Sequence, residues 1–314
     1  MRSRTRDIQR STRRKISFVS AQRLPTTDSP PHLPSIELEG VVGWTGDAAQ
    51  VKVDSLAVEE PLEIRLAGCS VAVTMRTPGD DFDLAAGFLL TEGIIRSAAD
   101  IASIAHCPAD DEESQFNIVN VNPGNPSLVD PDRWRRNFFA TSSCGICGKA
   151  SIDAVQQEAC PIPDDGAVPE TARMSHHALY RLDHELRSRQ AVFDQTGGLH
   201  AAGLFDLDGR LATLREDVGR HNAVDKVVGH ALRRDMLPLR TYALMVSGRA
   251  SFEIVQKALM AGIPIVIAVS APSTLAVELA RSSNMTLVGF LRPGRFNVYA
   301  GAERIVVPSL DERG

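Results

Sequence analysis

Apolar and polar positions first alternate steadily at Glu60-Pro61-Leu62-Glu63-Ile64-Arg65-Leu66-Ala67-Gly68. A period of two predicts a half-buried strand ending at a glycine turn, with Cys69 to Met75 returning as its hairpin partner. The period then changes. Asp80 to Glu92 carries Phe82, Leu84, Ala85, Phe88 and Leu89 at helical spacing, with Gly93 placed to end the helix. Phe116 to Val121 reads as another strand, and Ser175 to Arg189 as a charged amphipathic helix. The second half has a different rhythm. Three short apolar runs, Tyr242 to Val246, Ile263 to Val269 and Thr286 to Phe290, alternate with helical stretches. One helix is capped by Ser251 and reaches Ala261 before Gly262; the other runs from Thr274 to about Arg281. Strand, loop, helix, repeated, predicts a parallel sheet with helices packed on it.

The expected fold class is therefore α/β, with a smaller α+β N-terminal region and a larger α/β domain. Residues 1–35 read as a disordered basic arm, with Arg2, Arg4, Arg6, Arg10, Arg13, Arg14, Lys15 and Arg23 among helix-breaking prolines. The α+β region is expected over 36–165, ending in a mobile cysteine loop, and the α/β ligand-binding domain over 166–308, with a tail at 309–314. Arg13-Arg14 invites an export reading, but Ser20, Gln22, Arg23 and Thr26 interrupt any apolar stretch behind it, so export is not expected.

The rhythm of the second half has a functional consequence. Ligands of open α/β sheets bind in the crevice outside the carboxyl ends of the strands. The three runs are followed by Ser247-Gly248-Arg249, by Ser270-Ala271-Pro272-Ser273 and by Leu291-Arg292-Pro293-Gly294-Arg295. Arg249, Ser270, Ser273, Arg292 and Arg295 are thus expected to converge. Arginines beside helix-start N–H groups suit an anionic, phosphate-bearing ligand; the alternative is turn chemistry alone.

Composition narrows the partners. The net charge is -5 and aromatic residues make up 5% of the 314 residues, which speaks against broad attraction to nucleic acid or membrane and against a base-stacking platform. No apolar run approaches the ~18 residues of a membrane span. The five cysteines, Cys69, Cys107, Cys144, Cys147 and Cys160, are too few and too scattered for a disulfide framework. They fit a reducing, cytoplasmic compartment, where close pairs are catalytic or metal-binding.

Ser142-Ser143-Cys144-Gly145-Ile146-Cys147-Gly148-Lys149 is the sharpest chemical signal. Two thiols three positions apart can meet across a glycine-rich turn, and Lys149 favours the thiolate, the nucleophile of sulfur exchange. Half a zinc site, with His176 and His177 as further ligands, is one reading. A thioredoxin-like redox pair is a second, and a persulfide-carrying thiol on a flexible loop a third; spacing alone does not choose among them. Cys69, Cys107 and Cys160 read as bystanders. Two other segments are rich in polar chemistry: Thr196-Gly197-Gly198-Leu199-His200, and Arg215 through Lys226 ahead of a helix. In the second, Glu216, Asp217, His221 and Asp225 are either acid–base groups or a capping and ion-pair network. His200 is either a satisfied core histidine or a ligand.

Several blocks together resemble the formate dehydrogenase accessory sulfurtransferases (FdhD/NarQ). They are Glu59-Glu60-Pro61-Leu62, Met75 through Asp81, Ser143 through Lys149, Thr196 through Ala202, Arg215 through Lys226, Ser247 through Glu253, and Ser270 through Ser273, in family order over roughly residues 36–308. The resemblance implies that a cysteine desulfurase passes sulfur to the cysteine pair. It implies that the protein binds molybdenum bis(molybdopterin guanine dinucleotide) as substrate and sulfurates it for a client formate dehydrogenase. Cys144 matches the persulfide position and Cys147 the second motif cysteine. Phe290, Leu291, Arg292, Pro293, Gly294 and Arg295 match the cofactor-binding segment, where a guanine nucleotide analogue would also bind. A homodimer and a larger domain similar in fold to cytidine deaminases are further implications. Zinc deaminases need His-x-Glu and a later Pro-Cys-x-x-Cys; here Ala201 and Ala202 follow His200 and no cysteine pair comes later, so neither a metal site nor deamination is expected. A chaperone that binds and delivers the cofactor without carrying sulfur is the alternative function.

Overall fold

The computed structural model describes residues 34–107, 116–126, 159, 162 and 172–307. Residues 1–33 of the expected arm, the expected domain boundary at 165/166, the cysteine loop and the tail at 309–314 lie outside them.

The described residues start with an antiparallel ribbon, β1 (Ile36–Thr45) and β2 (Ala48–Ala57). Its register pairs Val42 with Val51 and Gly40 with Val53, which sets Leu38, Val42, Trp44, Val51 and Val53 on one face, all exposed. Next come β3 (Glu60–Leu66) and β4 (Cys69–Arg76), the hairpin that the alternation predicts. Leu62, Ile64 and Leu66 point into the core. The turn between the strands holds Ala67 and Gly68 at φ 51° and 80°, the left-handed pair that suits a tight hairpin. β5 (Ile101–His106) and β6 (Ile118–Pro123) complete a four-stranded sheet of order β4-β3-β6-β5, in which β3 and β6 run parallel. Helix α1 (Asp81–Thr91) covers it with Leu84, Ala85 and Leu89.

The second sheet has six strands. Its centre is β10 (Tyr242–Val246), β11 (Ile265–Ala268) and β12 (Thr286–Arg292), mutually parallel and linked by α5 (Phe252–Met260) and α6 (Thr274–Ser282). This is the predicted strand–helix repeat. After β12 the chain turns back on itself. Leu291 and Arg292 continue the strand, Pro293 and Gly294 make the turn, and Arg295 opens β13 (Arg295–Ala300), so the expected loop is a hairpin. On the other side β8 (His200–Asp206) pairs antiparallel with β10, and β9 (Leu211–Asp217) closes the order β13-β12-β11-β10-β8-β9.

Both faces of this sheet are covered. Leu244, Val246, Val266, Ala268 and Leu287 face α4 (Arg220–Leu232), α5 and α6. Ala243, Met245, Ile265, Ile267 and Val288 face α2 (His176–Arg187) through Leu179, Leu182 and Leu186. Short α3 (Ala191–Thr196) follows α2, and β7 (Met174–Ser175) pairs parallel with β14 (Ile305–Val306) beside it. The first face is one continuous core with the four-stranded sheet, because α1 and α4 lie between the two sheets. They meet backbone to backbone: a Cβ on Gly87 would sit 1.9 Å from the Asp225 carbonyl oxygen, and one on Gly229 would sit 1.8 Å from that of Asp83.

Charged groups in this interior are paired. Arg76, fully buried, donates from Nε and Nη2 to the two carboxylate oxygens of Asp81, each at 3.0 Å. Lys226 lies 2.7 Å from Asp217 and donates to the Thr77 carbonyl at 2.8 Å. The Asp217 carboxylate accepts from the Thr77 N–H, and Asn222 donates to the Met75 carbonyl. The blocks Met75–Asp81 and Arg215–Lys226 are thus one polar seam.

Candidate functional site

The site is built at the carboxyl ends of the parallel strands. The loop after β10 and the loop after β11 run side by side. Ser270 N–H donates to the Gly248 carbonyl at 3.3 Å and Ser273 N–H to the Ala250 carbonyl at 3.0 Å. Phe290 N–H in turn donates to the Ser270 carbonyl at 3.2 Å. Ser247, Gly248, Ser270, Ser273 and Phe290 are therefore brought together, with exposed Arg249 on the first loop. Several predicted groups are already engaged. The Ser247 hydroxyl accepts from Ala201 N–H, and Ser273 Oγ accepts from Ala276 N–H at the start of α6. Arg292 donates to the carbonyls of Val269 and Leu291 at 2.7 and 2.6 Å, so it ties the strand ends together. Leu291 is fully buried among the α2-facing core, which leaves its side chain no access to a ligand. Pro293, Gly294 and Arg295 are exposed at the hairpin tip.

Beside the loops is a cavity of about 440 Å³ whose walls include Gln190, Phe193, Leu199, His200, Ser247 and Val269. Its volume falls in the range of about 300–1,000 Å³ usual for small-molecule sites. A larger cavity of about 880 Å³ lies at the opposite end of β8, between α2 and the β8–β9 turn, and includes none of the residues singled out in the sequence. We place the site at the smaller one because it adjoins the strand ends.

The polar block 215–226 resolves into two kinds of residue. Glu216 accepts from the N–H groups of Val192 and Phe193 at the start of α3, and Asp217 pairs with Lys226. Asp225 pairs with Lys257 at 2.9 Å. These three carboxylates are capping and ion-pair groups. His221 instead faces the strand-end loop, with Nε2 3.3 Å from Ser251 Oγ and 3.9 Å from Glu253. Burial, then Arg220 and Lys257, push the His221 pKa down to about 4 against the pull of Glu253. His200 is also lowered, by burial and by Arg220, against Asp217. Burial would raise the Glu253 pKa, but hydrogen bonds from its own N–H and from Ser251, with His221 and Arg220 nearby, hold it below the usual range. At neutral pH the cluster holds two neutral imidazoles, one carboxylate and the Arg220 guanidinium. Arg220 and Glu253 were not singled out as site residues in the sequence, although both lie in blocks that carry the family resemblance and stand at helix starts.

The His221 shift has a consequence for stability. An unfolded histidine binds its proton near pH 6.5, whereas the folded one does so only near 4, so stability falls as pH drops through that window. His221→Gln is expected to flatten this dependence. Urea unfolding of both proteins between pH 4 and 7 checks it; parallel curves would rule it out.

Cys144, Cys147 and Lys149 lie outside the described residues. Cys69 is exposed at the start of β4 and Cys107 half-buried, both as free thiols; Cys160 lies outside the described residues. Among the described residues no group of three or more His, Cys, Asp or Glu is arranged to hold a metal ion, and no helix is long and apolar enough to cross a membrane.

Comparison with known proteins places this architecture. The family model described as "FdhD/NarQ family" matches residues 57–306. A sulfur carrier protein FdhD of Streptomyces avermitilis is 53% identical over 281 residues, covering 88% of this chain and 98% of the relative. That of Streptomyces coelicolor is 54% identical over 275 residues, covering 86% and 96%. The crystal structure of a putative formate dehydrogenase accessory protein from Desulfotalea psychrophila superposes with a TM-score of 0.68 at 27% identity, covering 87% of this chain and all of that one. With the family match running from β2 to β14, the chain belongs to the FdhD/NarQ family.

Proposed function

We propose that this protein is a cytoplasmic sulfurtransferase. It takes a persulfide sulfur from a cysteine desulfurase onto Cys144 and passes it to molybdenum bis(molybdopterin guanine dinucleotide), the form needed by a client formate dehydrogenase. The observation that carries this reading is the near-full-length likeness to curated sulfur carriers, combined with a Cys-Gly-Ile-Cys segment between Ser142-Ser143 and Gly148-Lys149. A carrier thiol must visit a donor and then an acceptor. The Cys144 thiolate attacks the outer sulfur of the donor persulfide; the donor leaves as thiolate and Cys144 becomes the persulfide. Cys147 is the second thiol of the pair.

The strand-end crevice supports the acceptor half of the reading. Its loops present backbone groups, Arg249 at the β10 loop and Arg295 at the hairpin tip, beside a cavity of about 440 Å³. The cofactor-binding residues in this reading are Ser247, Gly248, Arg249, Ser270, Ser273 and Phe290 through Arg295, with Leu291 contributing backbone only. A homodimer, as the family resemblance implies, is part of the same proposal.

Intact-mass spectrometry after incubation with a cysteine desulfurase and cysteine tests it. A reducible gain of one sulfur, about 32 Da, is expected, and Cys144→Ala should abolish it. A wild-type protein that gains no sulfur yet binds guanine nucleotide would instead be a cofactor chaperone.

A further inference from the structure

We propose that the larger cavity, about 880 Å³ between α2 and the β8–β9 turn, is a docking groove for an extended, carboxylate-rich peptide segment of a partner protein. It lies at the opposite end of β8 from the strand-end crevice, so its occupant is independent of any ligand bound there.

Charge is the first ground. Arg173, Arg181, Arg189 and Arg210 line the cavity against Glu185 and Asp208, in a chain whose net charge is -5. The arginines are not equivalent. Arg210 lies 3.6 Å from Asp206 and 3.1 Å from Asp208, so the acids of the turn are taken up within it. Among the described residues α2 forms its ion pair through Arg187 and Asp194, which leaves Arg173, Arg181 and Arg189 without a carboxylate partner. Glu185 is one helical turn from both Arg181 and Arg189 and pairs with neither. Three exposed guanidiniums beside one carboxylate favour an incoming anion, and arginine clusters are a recurring device for recognising acidic motifs.

The groove is also built rather than incidental. Gly209, at φ 85°, lets the β8–β9 turn rest directly on α2; a Cβ there would stand 3.3 Å from Ala178 Cβ and 3.4 Å from Leu182 Cδ2. Arg181 spans this contact. It donates to the His177 carbonyl at 3.2 Å and to the Asp208 carbonyl at 3.1 Å. Both acceptors are neutral, so the guanidinium is fixed in place while its charge stays unmatched, and its other N–H donors remain for a ligand.

Spacing and lining select the class of anion. Arg181 and Arg189 are eight residues apart, about 12 Å along a helix axis. Carboxylates on alternate residues of an extended peptide stand about 7 Å apart, so three of them cover roughly 13 Å and can meet both arginines. Leu207, Leu211 and Val306 add apolar wall for the aliphatic part of such a peptide. No aromatic side chain is among the described residues that line the cavity, so it offers no platform on which nucleobases stack.

Fluorescence anisotropy with the full chain tests the assignment, using a labelled octapeptide of alternating glutamate and alanine, its glutamine counterpart and a labelled octathymidylate. The proteins are wild type, Arg181→Gln/Arg189→Gln, and Lys52→Gln/Arg65→Gln, which removes the same charge from the ribbon and the four-stranded sheet. Urea midpoints of all three confirm that they are folded. Wild type is expected to bind the glutamate peptide, and Arg181→Gln/Arg189→Gln to bind it at least about tenfold more weakly, having lost two charge-assisted contacts. Lys52→Gln/Arg65→Gln should stay within about twofold of wild type, since distant exposed charges are screened. No binding of the glutamate peptide to wild type, or an equal loss in Lys52→Gln/Arg65→Gln, would overturn the groove. A glutamine peptide that binds as tightly would overturn carboxylate recognition. Octathymidylate that binds as tightly through the same two arginines would give the groove to nucleic acid and overturn the peptide.

Discussion

Lys257→Met is expected to cost the folded protein about 3–5 kcal/mol at neutral pH. Lys257 is buried where three helices meet. Its ammonium lies 2.9 Å from Asp225, 2.9 Å from Thr91 and 3.2 Å from Glu92. Burial opposes its charge, but Asp225 and Glu92 outweigh that and hold its pKa above the ordinary lysine range. Asp225 is pushed up to about 6 by burial even with Lys257 beside it. Without the lysine its carboxylate keeps only the Thr91 hydroxyl, and its pKa rises further. A carboxyl group whose folded pKa lies above its unfolded value loses stability as pH rises between the two. The deficit of Lys257→Met is therefore larger at pH 8 than at pH 5. Replacing Asp225 as well, in Lys257→Met/Asp225→Leu, should recover most of the loss, since paired apolar side chains replace an ion pair at little cost. Urea unfolding at the two pH values measures all of this. A loss under about 1 kcal/mol at pH 8, or no recovery in the double variant, would refute the account.

Gly229→Ala carries the second large effect, a loss of about 3 kcal/mol or more from overpacking. The added methyl would lie 1.8 Å from the Asp83 carbonyl oxygen and 2.7 Å from the Gly87 nitrogen, both rigid backbone. Relief demands that α1 and α4 separate, and the helices carry the side chains that join the two sheets. Gly87→Ala makes the mirror clash with the Asp225 carbonyl. One separation relieves both, so the double variant should lose clearly less than the sum of the singles. Urea titrations of the three variants decide it. Additive losses would mean that the helices adjust independently at the two crossings.

Much of this architecture is legible in the chain, for a reason visible in particular residues. Tyr242–Val246 is found as a strand with its expected bounds because it is buried on both faces and stops at Ser247-Gly248. The helix from Asp81 to Thr91 follows its apolar spacing. The β8 strand was less visible. Ala201, Ala202 and Gly203 have weak strand preference, and burial on both faces erases the alternation. Gly203 is there for packing, since a Cβ would meet Leu186 at 2.7 Å. The β12–β13 hairpin hid behind Pro293-Gly294, which reads equally as a loop. The site divides in the same way. Strand-end loops follow from periodicity, whereas the roles of Glu216, Asp217 and Asp225 depend on which cations lie across the fold. Ser251 was foreseen as a helix cap, yet its hydroxyl turns to His221 and Glu253.

The seam between residues 75–81 and 215–226 also governs the order in which a growing chain can finish folding. Thr77 reaches its partners Asp217, Val218 and Lys226 across 140, 141 and 149 residues of sequence. When the four-stranded sheet has left the ribosome, the face of α1 that will meet α4 is still bare; Arg76 already has Asp81, Glu60 and Asn117, but Thr77 still lacks all three of its distant partners. Contacts of such separation form late and slow the approach to the native state. The first half of this protein therefore waits, partly uncovered, for a helix made more than a hundred residues later.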